Sequence, residues 1–371
     1  MGASDDPGAL PRCLSQLLIA HTIQIDNWFE QHSPHRTTLG ASPGQGPWLI
    51  SYAFYANLLR WLAREPVPVS SVAALSGTVN LPGLHRWGYL RISGWAGPGK
   101  PVPPAATLAL TAAGERACDH WAAAADDTAA VWREQFDEAD AQLREALSGL
   151  RDCLGRPAPP YLPVIAASKK FGRQPEWHSP DLPPSEETTA LLSAVLHTFI
   201  ADYEQPGEIS LPLASDVLRV LSVQPTPVTE AIRDSGISRE AFTAALTPLL
   251  KYGHVAMEKA AAGRVKMVRL TERGAQAVAD HEARLTWVTG NWRTDSAQAR
   301  WMDQAREAAT QILHRRDDGG SVLGRLLVPP PDGWRHRAPF SRQTRAVAQD
   351  PAAALAHCPM VLHRGGYPDG C

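Results

Sequence analysis

The chain has 371 residues, with 36 Lys plus Arg against 38 Asp plus Glu and a formal charge of −2. That length suits about two domains of ordinary size, and the charge balance excludes a global basic field, so any nucleic-acid contact has to come from a local patch. Cys13, Cys118, Cys153, Cys358 and Cys371 stand without C-x-x-C spacing, which fits reduced thiols in a cytoplasm better than a disulfide framework or a zinc site.

In chain order, the start MGASDDPGALPRC is acidic where a signal peptide is basic, and no apolar run approaches the roughly 20 residues of a membrane span. The expectation is a cytoplasmic protein with no membrane partner. A long apolar-periodic helix follows, holding HTIQID at 21–26, and then a Ser, Gly, Pro and His-rich loop, QHSPHRTTLGASPGQGPW. Next comes LRWLAREPVPVSSVAALSG at 59–77. It shares eight of nineteen positions, without a gap, with LRVLSVQPTPVTEAIRDSG at 218–236. RWGYLRI at 86–92 and KYGHVAM at 251–257 each place a glycine between the end of a helix and the start of a strand. LALTAAGERA at 108–117 and VRLTERGAQA at 268–277 each run from a β-prone segment through Leu-Thr-x-x-Gly into an Ala-rich helix. HTFIAD at 197–202 repeats the His-Thr-x-x-x-Asp of the first long helix, and the offset between the copies is 159 to 160 over the two longer motifs.

The order is therefore helix, helix, Pro-containing turn, helix, turn, helix, strand, Gly-containing wing, strand and long helices, the layout of a winged helix-turn-helix. The expected fold class is mainly α with small β-wings: two tandem winged helix-turn-helix domains joined by long dimerisation-type helices. The first copy spans 1–160, a Pro-rich linker 161–187, the second copy 188–318 and a C-terminal tail 319–371. The tail has no helical period beyond a short segment near 341–356, and His357, Cys358, His363 and Cys371 in it are too irregularly spaced to predict a metal site.

The copies differ where a DNA-reading helix belongs. Gly236 to Gly253 spans 17 positions, whereas Gly77 to Gly88 spans 11 and carries Pro82 and Gly83, both of which disfavour a continuous helix. The first wing, SGWAGPGKPVPPA, has a single lysine and suits packing. The second copy keeps the relevant chemistry. Ser238 fits an N-cap, while Arg239 and Thr243 project from the N-terminal half of the helix, the part that reaches base edges. Lys259, Arg264 and Lys266 form a basic stripe in the wing able to hold phosphate or enter a minor groove.

These segments, SGISREAFTAALTPLLKYGHV as turn plus helix and GRVKMVRLTERG as wing, resemble the MarR group of winged-helix transcription regulators. The tandem array resembles such a dimer fused into one chain. The resemblance covers roughly 14–155 and 188–318 and departs at the wing, where AAAGRVK replaces an expected Asp-x-Arg. It implies a regulator that binds double-stranded DNA mainly through the second copy, as a monomeric pseudo-dimer or a homodimer. It also implies a small aromatic effector held between the long helices and the winged-helix core, where His21, Trp28, Trp48 and Tyr52 are the candidates. Cys13 sits about where peroxide-sensing relatives keep a reactive thiol. No cofactor, metal or catalytic residue is expected, since Gly-rich phosphate loops, Gly-x-Ser-x-Gly and His-Glu-x-x-His are all absent from the sequence. Two alternatives stay open. One is a tandem winged-helix protein-interaction module without DNA binding. The other is a winged-helix DNA glycosylase, because IQID at 23–26 resembles the Gln-x-Asp element of those enzymes, with Gln24 and Asp26 as the polar pair.

Overall fold

The computed structural model describes residues 6–36, 46–76, 79–156, 185–204, 207, 209–237, 239–259, 263, 265–333, 336 and 341–358. It is mainly helical with small antiparallel sheets. Most of the 161–187 segment expected as a linker lies outside the described residues, as do Ser238, Arg264, His363 and Cys371.

The first half runs α1 (Ala9–His32), α2 (Tyr52–Leu62), β1 (Val67–Pro68), α3 (Val69–Ser76), α4 (Leu81–Arg86), β2 (Leu90–Ser93), β3 (Thr107–Leu110), α5 (Ala112–Phe136) and α6 (Glu138–Leu154). The second half repeats the series from α7 (Thr188–Tyr203) through α8 (Leu211–Leu218), β4 (Thr226–Pro227), α9 (Val228–Ser235), α10 (Arg239–Lys251), β5 (Val255–Lys259), β6 (Lys266–Leu270), α11 (Glu272–Trp292) and α12 (Ser296–His314). The sheets share one topology, β1-β3-β2 and β4-β6-β5. The proline pairs that read as turns in the sequence are thus also strands. Val67–Pro68 and Thr226–Pro227 pair with β3 and β6 at the sheet edge, where a proline costs no ladder hydrogen bond.

The Leu-Thr-x-x-Gly signature has a structural reason in both copies. Thr111 and Thr271 cap α5 and α11: each Oγ1 accepts from the N–H of Gly114 or Gly274 (3.2 and 3.1 Å). Each also donates to the carbonyl of Gly88 or Gly253 (2.6 and 2.7 Å). The cap draws the helix so close to the preceding loop that a Cβ on either glycine falls well inside 3.0 Å of a backbone carbonyl, Tyr89 O or His254 O.

Helices α1 and α7 are buried over most of their length and circumference, including polar residues such as Gln16, His21 and Asp26 of α1. They pack against each other at the centre, while α6 lies along α12 with the Trp301 ring against Gly149. Trp132 and Trp292 stand at matching positions of α5 and α11, and each packs on the first long helix of its half. The indole of Trp132 stacks on His21 and donates to Gln24 Oε1 (2.7 Å), and that of Trp292 meets Phe199 edge-on and donates to Asp202 Oδ2 (2.9 Å).

The segment expected as a tail from 319 begins inside the core. β7 (Arg316–Asp317) pairs with β8 (Gly320–Ser321), and α13 (Val322–Leu326) buries Val322 and Leu323 together with Leu327. Burial of Val322, Leu323 and Leu327 seats this segment on the core, while Arg325 and Val328 remain exposed. After α14 (Ser341–Gln349) and the single turn α15 (Pro351–Ala354), residues 351–358 form a strap across the second half. Gln16 Nε2 donates to the carbonyls of Ala352 and Leu355 (2.8 and 3.2 Å). The fully buried Asp216 carboxylate accepts from the N–H groups of His357 and Cys358 (2.9 and 3.2 Å). The α9–α10 turn sits directly beneath: Gly236 has φ +73°, and a Cβ there meets Ala354 O at 2.8 Å.

Candidate nucleic-acid interface

Helix α10 is 13 residues long, against six in α4. Its inner face, Ala241, Phe242, Ala245, Leu246 and Leu249, is buried with i, i+4 spacing. That leaves Arg239, Thr243, Thr247 and Lys251 in solvent on the opposite side. The hydroxyls of Thr243 and Thr247 donate to the carbonyls one turn back (both 2.7 Å), which leaves their lone pairs outward. Arg239 is exposed and makes no ion pair among the described residues. The N-terminal end of the helix is held from behind, where Arg219 donates to Ser235 O (2.7 Å) and the strap packs on Gly236.

In the adjoining hairpin Lys259 of β5 stands directly opposite Lys266 of β6, both exposed and without an ion pair among the described residues. Like charges opposed across a ladder repel, and here both side chains are exposed to solvent. Arg269 differs: it lies 3.7 Å from Glu258 and is neutralised by it. The structure thus brings Arg239 and Thr243 onto one exposed helix face and Lys259 and Lys266 onto the hairpin that follows it. The same hairpin in the first half has Arg91 opposite Ala109 and no such pair.

The candidate effector residues are not brought together. His21 is buried against Trp132, and Tyr52 is buried with its hydroxyl 3.3 Å from Thr189 Oγ1. Trp28 stacks on His32, whereas Trp48 is 46% exposed and its carbonyl accepts from Tyr89. Of the four, only His21 lines either described cavity. Gln24 and Asp26 are engaged in packing. Gln24 receives the Trp132 indole, and Asp26, fully buried, accepts from Ser51 Oγ (3.1 Å) and the N–H of Tyr52 (2.7 Å), holding the start of α2. Burial pushes the Cys13 thiol up, away from the reactive thiolate. Among the described residues no cluster of three metal-ligating side chains occurs, and no helix is long and apolar enough to cross a membrane.

Two cavities flank α1. One, of about 350 Å³, lies between the start of α1, α7, α8, α11 and the strap residues His357 and Cys358. The other, of about 370 Å³, lies between α1, α5, α6 and the start of α7 and is lined by His21, Arg133 and Arg144. The two arginines escape a sequence reading; the one available signal was the Trp-Arg pair repeated at 132–133 and 292–293. Comparison with family models, with curated proteins and with solved structures gave no match to this chain.

Proposed function

We propose that the chain is a transcription regulator of the tandem winged helix-turn-helix type. In this reading residues 1–160 and 188–318 are the two copies, fused as a pseudo-dimer. Double-stranded DNA is bound through the second copy, with α10 in the major groove and the β5–β6 hairpin as the wing on the backbone. The observation that carries the reading is the opposed pair Lys259 and Lys266 beside the exposed face of α10. An anion lying along this edge relieves the repulsion, and a phosphodiester backbone supplies anions at the right spacing. The six-residue α4 and the hairpin behind it lack that arrangement, so the first copy serves as the structural partner.

The test is anisotropy titration of the full chain with duplex from its own upstream region at several salt concentrations. Each phosphate contact removed lowers the salt slope by about 0.9, so the Lys259→Ala, Lys266→Ala double variant is expected to lose up to about 1.8 in slope on any duplex. Arg239→Ala is expected to relax base preference by about 1–3 kcal/mol. Salt-independent binding, or none, removes the regulator reading and leaves the interaction module in its place.

A further inference from the structure

The second cavity has the properties of an anion site that the DNA-binding reading does not use. It is closed on one side by Ile25, Ala125 and Ala129 and on the other by Arg133, Arg144 and residues 185–189. Neither arginine makes an ion pair or side-chain hydrogen bond among the described residues. In the second half the repeated arginine, Arg293, is instead held by Asp303. The nearby acids are largely spoken for: Glu187 is paired with Arg60 (2.8 Å) and Glu186 with Arg151 (2.9 Å). Asp126 is exposed at the rim. Asp140 is buried and interacts electrostatically with both arginines; burial pushes its carboxyl up while Arg144 and Arg133 draw it down.

Two further features aim at an anion. The 16-residue α7 begins here with Glu187 as N-cap, without a side-chain cap. The N–H groups of Thr188 and Thr189 find no acceptor among the described residues, so the positive end of the helix opens on the cavity. Independently, His21 is 2% exposed and lines the cavity, and its Nε2 has no hydrogen-bond partner. A buried polar atom left unpaired costs free energy that a ligand recovers. Burial and Arg144 push His21 down to about 3, so the ring is neutral at ordinary pH and serves as a hydrogen-bonding group without charge.

We propose that this cavity binds a small organic anion, a carboxylate or phosphate ester. Its charged head lies at the start of α7 between Arg133 and Arg144, its body against Ile25, Ala125 and Ala129, and a polar atom faces His21. The cavity size suits a ligand of a few to a dozen heavy atoms. Because α5 and α6 belong to the first half and α7 opens the second, an occupant ties the halves together at their junction.

The experiment is calorimetric titration of the full chain with two probes, butyrate and inorganic phosphate, at low chloride. Saturable one-site binding of at least one probe is expected, and the probe that binds identifies the head group as carboxylate or phosphoryl. Arg133→Gln and Arg144→Gln are each expected to weaken it about tenfold to a hundredfold, the loss of one charge-assisted contact. Arg133 is exposed, so its replacement leaves the core intact and a loss of binding there reads the site itself. His21→Gln is expected to weaken binding less than either arginine change, since no charge is removed. Absence of saturable binding by both probes overturns the proposal, as does binding that neither arginine variant alters. Either outcome is separable from the DNA titration, which uses other residues.

Discussion

Gly114→Ala and Gly274→Ala give a test in which two effects oppose each other in sign. Both glycines lie in the first turn of a long helix, where replacement by alanine ordinarily stabilises by about 1 kcal/mol. Here the added methyl falls well inside 3.0 Å of Tyr89 O or His254 O, against the 3.4 Å or more of an ordinary contact. The carbonyls have little freedom to yield. Tyr89 O accepts from the N–H of Thr111 (3.1 Å), and His254 O accepts from both the N–H and the hydroxyl of Thr271 (both 3.1 Å). Overpacking of this kind costs about 1–3 kcal/mol and occasionally more. With the obstacle a fixed backbone atom, the upper end applies, so each variant is expected to be destabilised by about 2 kcal/mol net. The assay is equilibrium urea unfolding followed by circular dichroism, with the slope compared to the parent to confirm that midpoint shifts report stability. The two sites lie in different helices, α5 and α11, each beside its own sheet, so the double variant is expected to lose the sum. A neutral or stabilising effect at either position would show that the helix is not pinned against the loop and would refute the account of the Leu-Thr-x-x-Gly repeat.

Two further outcomes are expected. Asp216→Ala removes a buried carboxylate that accepts two strap N–H groups and the Arg219 guanidinium. It leaves those donors unpaired, for a loss of about 3–5 kcal/mol in urea unfolding; a loss below 1 kcal/mol would mean the strap is not anchored there. Burial pushes His21 and His357 down to about 3 and His197 and His281 to about 4. As pH falls below 6.5 the unfolded chain takes up protons that the folded chain does not. Stability should therefore drop between pH 7 and 5, by about 1–2 kcal/mol per histidine. Asp140 and Asp216, whose carboxyls burial pushes up, act in the opposite sense and offset part of it. Unfolding midpoints that stay level over that range would contradict the burial of these rings.

The repeat was legible because its signatures are local. A capping threonine, a glycine three residues on and a glycine ending a helix each solve a backbone problem within a few residues, so they recur in sequence as they do in space. The short α4 was legible for the same reason, through Pro82 and Gly83. The edge strands Val67–Pro68 and Thr226–Pro227 were hidden because two residues carry no period. The cavity at the start of α7 was hidden more deeply: His21, Arg133, Arg144 and Thr188 are scattered from the first helix of the first half to the first residue of the second, and nothing in any one segment says that the others go unpaired. The effector candidates His21, Trp28, Trp48 and Tyr52 were implied by the resemblance, and of the four His21 alone lines either described cavity. The strap was read as an ending, although Asp216, 141 positions away from His357, is what holds it.

Helix α1 has a double allegiance. Its second half stacks His21 on Trp132 and starts α2 through Asp26, both in the first copy. Its first half meets Thr310 of the second copy through Cys13 and the strap beyond that copy through Gln16, and Thr289 of the second copy donates to Pro7 O just ahead of it. One helix is therefore shared between two halves that the repeat would have as separate modules. Its burial is supplied from both sides, by α5 of the first half and by α7 and α12 of the second. Dividing the chain between the halves would therefore divide the surroundings of α1, and the loss would fall on both pieces at once.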